Sequence, residues 1–227
     1  MIHDCYLGKI SLLETDTKQA QYLVRNNVYI GEKEVVACAK LLANTENPVM
    51  IDGGANHGLF SFSMRKKIPN LVVHAIEAQP RIYDLVCETV KLNSFDNYTV
   101  YNKALSDKSG SINVPTYNYN KKGSFGSVEL LKTSKDVGQK PTGKVPIETI
   151  RIDDMGLDKV DFIKLDIEGM EIHALKGAME TIRKHKPVMF IEYLKVGKKH
   201  LQGYFNAELH KLYDFKWERA DVICTAK

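Results

Sequence analysis

From residue 46 onward, short apolar runs alternate with longer segments whose apolar positions recur at helical spacing. "VMID", "LVVHAI", "YTVY", "DFIKLDI" and "KPVMFIEYL" read as strands. Between them, "LFSFSMRKK", "RIYDLVCETVKLNSF" and "MEIHALKGAMETIRKH" read as helices. In the second of these, Ile82, Leu85, Val86, Thr89 and Val90 share one face. Such alternation predicts an α/β fold, a doubly wound and mostly parallel sheet covered on both faces. "FNAELHKLYDF" is expected to be helical, and "KWERADVICTAK" a terminal strand or hairpin.

Two regions depart from the pattern. Residues 1–30 fit either short strands or an irregular cap; a helix follows, carrying Val35, Val36, Ala39, Leu42 and Ala43, and "NTENP" stops it. This gives an N-terminal cap segment and helix over 1–45 and a ligand-binding catalytic domain over 46–227. An insertion at about 111–150 holds a small β-ribbon, "SINVPTY" and "KVPIETIRI", around a Gly-, Ser- and Lys-rich loop. A polar loop of that length is either a lid or an inert insertion.

Composition narrows the class. Hydrophobic residues at 44% and charged residues at 26% suit a globular chain that buries a core without disulfides. Cys5, Cys38, Cys87 and Cys224 are scattered, so neither a zinc knuckle nor a disulfide framework is expected. No apolar run approaches the roughly 18 residues of a membrane span, and the start lacks the pattern of a signal peptide. A cytoplasmic protein with reduced thiols is the expectation. A net charge of +4 permits an anionic partner without requiring nucleic acid.

The chemistry concentrates at predicted strand ends, where ligands sit in an open parallel sheet. The first turn runs Asp52-Gly53-Gly54-Ala55-Asn56-His57-Gly58, of the form DxGxxxG rather than GxGxxG. A dinucleotide pyrophosphate wants backbone N–H groups at a helix N-terminus. S-adenosylmethionine has no phosphate but carries an ammonium and a sulfonium, which an acid closing the strand suits. Glu77, 25 residues beyond Asp52, ends the next strand and is placed to accept two ribose hydroxyls. Ala104 and Leu105 at the third strand end are placed to wall the adenine. His57 either touches the ligand or points outward. A nicotinamide-dependent dehydrogenase is the reading that the form of this turn argues against.

"FIKLDIEGMEIHALKGA" carries a second set of candidates. In its strand Phe162, Lys164 and Asp166 face one way, and Ile163, Leu165 and Ile167 the other. A buried lysine and aspartate are costly unless paired. If this strand lies between those ending in Asp52 and Glu192, Lys164 either braces the sheet or takes part in catalysis, and Asp166 stands at the ligand edge. Glu168 and Glu171 are candidate proton acceptors or helix-capping acids. His173, beside an apolar helix face, reads as a boundary histidine. Asp166 and Glu192 are the pair to consider for a divalent metal, which the sequence alone does not establish.

Over about residues 49–193 the chain resembles the FkbM family of methyltransferases, through "IDGGANHGLFS", "IEAQP", "NKALSDKSG", "FIKLDIEGMEIHALKGA" and "PVMFIEY" in that order. The resemblance implies a Rossmann-like fold of the class I methyltransferase type, with S-adenosylmethionine as donor. It also implies O-methylation of a hydroxyl on a sugar, glycan or small natural product. Asp52, Gly54, Asn56 and Gly58 then match the cofactor turn, Glu77 the ribose acid, and Asp166, Glu168 and Glu171 the acidic signature. Gly53 departs from the Val or Ile that the family often has. Two further readings stay open: a non-catalytic cofactor-binding module, and an RNA methyltransferase whose lysines at 121–144, with Tyr117, Tyr119 and Phe125, meet a phosphate backbone and stack on bases.

Overall fold

The apolar strands assemble into one seven-stranded sheet in a computed structural model that describes residues 1–132 and 134–227. An N-terminal hairpin, β1 (Ile2–Cys5) and β2 (Gly8–Ser11), leads into helices α1 (Gln19–Asn26) and α2 (Glu32–Leu41). The first half of the sheet follows as β3 (Val49–Gly53), α3 (Leu59–Lys67), β4 (Val72–Ile76), α4 (Pro80–Leu92) and β5 (Tyr98–Tyr101). A separate three-stranded sheet comes next, built from β6 (Ala104–Leu105), β7 (Gly110–Thr116) and β8 (Gly143–Ile150). The second half consists of β9 (Phe162–Leu165), α5 (Glu171–Lys176), α6 (Met179–His185), β10 (Val188–Glu192), α7 (Lys198–Glu208), β11 (Tyr213–Trp217) and β12 (Asp221–Ala226).

The strand order is β11-β12-β10-β9-β3-β4-β5. From β3 the chain winds outward through β4 and β5, then returns to the other side of β3 as β9. The order therefore reverses between β3 and β9, the place where an open α/β sheet leaves a crevice beyond its carboxyl ends. All neighbours from β10 to β5 run parallel, while β12 enters antiparallel between β10 and β11.

Two apolar layers hold the sheet. Phe162 and Phe190 pack with Leu59, Phe60 and Phe62 on the face covered by α1–α3. Ile163, Leu165 and Ile191 pack with Ala174, Leu201 and Phe205 on the other face. The alternation along β9 is thus the expected one, with Lys164 on the α3 side. Among the described residues no helix is long and apolar enough to cross a membrane.

Three local expectations are revised. The helix expected over 170–185 is broken into α5 and α6 around Gly177, where a Cβ would lie 2.1 Å from the Ser106 carbonyl oxygen and only glycine admits that approach. The helix expected from Phe205 starts earlier, at Lys198, and "YDF" belongs to β11. Residues 1–30 are a hairpin plus a helix, in place of the expected strands or cap; the terminal segment, as expected, is a hairpin, β11–β12.

Candidate functional site

A cleft of about 550 Å3 opens at the switch point between β3 and β9. Its floor is the turn after β3. Gly54 has φ of +71°, and a Cβ there would stand 1.9 Å from the Asp166 carbonyl oxygen. Only glycine lets the turn pass this close to the end of β9. Asn56, also left-handed at φ +49°, lines the cleft with both amide atoms buried and without hydrogen-bond partners. Buried polar atoms are almost always paired, so this amide is positioned to meet something the protein does not itself supply.

Glu77 forms one wall. Its Oε2 accepts the Asn56 N–H at 2.8 Å and its Oε1 the Gln79 N–H at 2.8 Å. Each oxygen keeps a lone pair for a ligand. Burial pushes the carboxyl's pKa up, against the pull of those two N–H donors and of Lys164. Ile76, Ala104 and Leu105 add apolar surface.

Asp52 does not line the cleft. It is fully buried beneath the turn, where Oδ2 accepts the Ser61 hydroxyl at 2.6 Å and Oδ1 lies 3.2 Å from Lys164 Nζ. That distance is an ion pair, although it lacks hydrogen-bond geometry. Lys164, its register partner across β3 and β9, donates to the carbonyls of Gly53 at 3.2 Å and Gly54 at 2.7 Å. Burial lowers the ammonium's pKa, but Asp52, Asp166 and Glu77 outweigh this and leave it above its ordinary value. Lys164 thus braces the glycine turn from below. Gly53 lies at the end of β3, and Gly58 starts α3, both outside the cleft lining.

Carboxylates crowd the opposite end. Asp166 and Glu168 line the cleft, and Glu192 ends the neighbouring strand. One oxygen from each of the three falls within 4.8 Å of the others. Asp221 pairs with Glu192 across β10 and β12. Burial first, then the Asp166 charge, pushes Glu168 up to about 8 despite nearby Lys195. The same causes, with Glu168 and Asp221 added, push Glu192 up to about 9. Burial, Asp166 and Glu34 push Asp221 up to about 7. Glu168 also holds a left-handed backbone, φ +53°, an uncommon conformation for a side-chain-bearing residue and one that clusters at functional sites.

Glu171 is differently employed. It is 1% exposed and accepts N–H groups of Ile167 at 3.0 Å and Gly169 at 3.1 Å, so it clamps the turn that presents Asp166 and Glu168. His173 is on the surface, 3.5 Å from Asp107. His57 neither touches the cleft nor points outward. It is buried, its Nε2 accepts the Leu13 N–H at 3.2 Å, and burial pulls its pKa down, as suits a neutral acceptor.

The expected loop at 111–150 folds over the cleft. Gly126, Val128 and Leu130 form its roof, and Gln19 from α1 completes the rim. Gln79 Nε2 donates to the Phe125 carbonyl at 2.9 Å, tying roof to wall. Sequence reasoning missed Gln19, Gln79, Asp221 and the three roof residues. Of these only Gln79, two positions past Glu77 in "IEAQP", carried a signal. Phe125 is fully buried and Tyr117 is 4% exposed, so neither is on the surface to stack on bases.

An open sheet with this strand order, an antiparallel penultimate strand and an acid-walled crevice defines the class I methyltransferase fold. The family model described as the methyltransferase FkbM domain matches residues 52–218, and the chain belongs to that family. Methyltransferase sdnD of Sordaria araneosa is 31% identical over 84 residues, which are 36% of this chain and 32% of that protein. Methyltransferase FkbM from Methylobacillus flagellatus superposes with a TM-score of 0.56 at 21% identity, over 79% of this chain and 43% of its own. Precorrin-6y C5,15-methyltransferase from Geobacter metallireducens gives 0.50 at 14% identity, over 96% and 97%. The chain thus covers about a third of the sdnD protein and under half of the FkbM structure.

Proposed function

We propose that the chain binds S-adenosylmethionine in the roofed cleft and transfers its methyl group to an oxygen, a hydroxyl of a glycan or small natural product. One observation carries this: the acids Glu77, Asp166 and Glu168 line a single cleft, the first past the end of β4 and the other two past the end of β9.

The residues fit the donor. Gly54 leaves room for a backbone-hugging ligand, the Asn56 amide offers a donor and an acceptor, and Glu77 keeps lone pairs for two hydroxyls. Ile76, Leu105 and Val128 supply apolar walls for a flat base. The Asp166 carboxyl suits a cationic centre, and Glu168, pushed up to about 8, would be drawn towards ionisation by a cation beside it. When bound, S-adenosylmethionine supplies an electrophilic methyl. The chain's own part is to align the acceptor oxygen and take its proton. An alcohol needs a base as its oxygen attacks, and alignment supplies much of the rate. Asp166 and Glu168 are the proposed groups, with Glu171 holding their turn and Lys164 the glycine turn opposite.

A second reading adds a divalent cation on Asp166, Glu168 and Glu192, favoured by the mutual approach of their oxygens. Such an ion would acidify the hydroxyl.

The test is a screen of glycans and small hydroxyl compounds for labelled methyl transfer, with and without a chelator. We expect transfer to at least one hydroxyl, lost in Asp166→Asn and Glu168→Gln. Transfer surviving both substitutions overturns the catalytic assignment, and loss on chelation selects the metal reading.

A further inference from the structure

The roof of the cleft is fastened at two ends of unequal character. At one end Asp16 is fully buried and faces backbone donors. Its Oδ1 accepts the N–H groups of Lys18 and Ala20, both at 3.1 Å, and its Oδ2 that of Phe125 at 3.3 Å. Beside it the Thr17 N–H donates to the Gly123 carbonyl at 3.0 Å, and the Gly123 N–H to that of Thr15 at 3.1 Å. The N-terminal segment and the insertion are thereby stitched together, over a small core of Leu13, Ile82, Leu85 and Phe125.

At the other end the fastening is ionic, and Lys195 is its centre. Lys195, just past β10, pairs with Asp136 and stands 3.7 Å from Glu129 of the roof and 3.7 Å from Glu168. It is 20% exposed, Glu129 10%, Glu168 15% and Asp136 56%. Lys195 thus joins the roof segment to the acid that lines the cleft, while Lys18 Nζ donates to the Ser127 hydroxyl at 3.1 Å and Lys132 pairs with Glu129 at 2.8 Å without spanning the two. Glu168 Oε2 has no hydrogen-bond partner, and the Lys195 charge, ahead of that of Lys18, is what the structure offers it.

We propose that Lys195 is a positioning residue: it latches the roof at 126–130 down onto the Glu168 turn, with Asp16 as the fixed end, and the cleft opens for ligand exchange at the Lys195 end. This rests on the reading of the cleft as an S-adenosylmethionine site. The asymmetry follows from the medium. Hydrogen bonds to a buried carboxylate are shielded from water and salt, whereas partly exposed ion pairs are weakened by both. Opening begins where the fastening is weakest.

The test uses S-adenosylhomocysteine as probe, with the wild-type chain, Lys195→Met and Lys195→Arg. Its dissociation rate is expected to rise about three- to tenfold in Lys195→Met, as befits the loss of a few partly exposed pairs, and to return towards wild type in Lys195→Arg. The wild-type rate should climb with ionic strength and the Lys195→Met rate should not, which a merely packing role would not produce. Equal, salt-indifferent rates in all three overturn the latch. If wild type fails to bind the probe, the cofactor reading itself has failed. The latch is then read from amide hydrogen exchange, where faster exchange at Gly126–Leu130 in Lys195→Met supports it and unchanged exchange overturns it.

Discussion

The two ends of the cleft use carboxylates in opposite ways. At the β4 end, Glu77 is held by two backbone N–H groups, and Asp52, beneath the turn, by a serine hydroxyl and a lysine. These acids have their partners, and the Glu77 wall and the turn braced above Asp52 are settled before any ligand arrives. At the β9–β10 end, Asp166, Glu168, Glu192 and Asp221 crowd one another, and burial with mutual repulsion drives three of them upward. Such an edge gains from any cation or proton that joins it. Rigidity at one end suits recognition; crowded charge at the other, relieved only in part by Lys164 and Lys195, suits proton transfer. Part of the difference is backbone geometry: the glycine turn and the start of α4 offer N–H groups to Glu77, while among the described residues no hydrogen bond reaches the carboxylates of Asp166, Glu168, Glu192 or Asp221.

The largest effect should come from removing the brace beneath the settled end. Lys164→Met leaves Asp52 buried without its cation, and such losses cost about 3–5 kcal/mol. Denaturant unfolding should show that drop together with lost ligand binding. A cost near zero would mean the turn holds itself.

Glu77→Gln comes next. It should weaken S-adenosylhomocysteine binding by about 10- to 100-fold, the worth of one or two hydrogen bonds to a charged group, and cost about 1–3 kcal/mol of stability, because the amide nitrogen turns a donor towards one of the two backbone N–H groups. Calorimetric titration separates the two effects.

The crowded end predicts a slope with pH. Glu168, Glu192 and Asp221 bind protons more tightly folded than unfolded. Their contribution is whole below the ordinary carboxylate range of about 4. It is lost as pH rises through their folded values, from about 7 for Asp221 to about 9 for Glu192. Stability should therefore fall from pH 5 to pH 9, and Glu192→Gln should flatten the fall; a rise over that window would contradict the crowding.

Smallest of all is His173→Ala. On the surface and clear of both ends, it should change stability by no more than about 0.5 kcal/mol and leave probe binding unchanged.

Much of this contrast was legible in the chain. The DxGxxxG turn, Glu77 at the next strand end and the apolar-polar alternation around Lys164 depend on local periodicity, so the fold class and the crevice followed from them. What the sequence hid is set by tertiary approach. Asp52 closes its strand yet faces inward, because Lys164 reaches across the ladder to meet it. Glu171 lies in the same signature as Glu168 but is turned back onto the backbone by the bend at Gly169. The roof and Asp16 come from segments with no periodic signal, over a hundred residues apart, and only the folded chain shows that they meet. Asp221 joins the acids through an antiparallel register that no local pattern encodes.

The central claim is that one end holds the cofactor and the other does the chemistry. Calorimetric titration of Glu77→Gln and Glu168→Gln with S-adenosylhomocysteine, side by side with wild type, tests it most directly. The account predicts binding weakened at least tenfold in the first and kept within about threefold in the second. Equal losses in both variants, or binding lost only in Glu168→Gln, would contradict it.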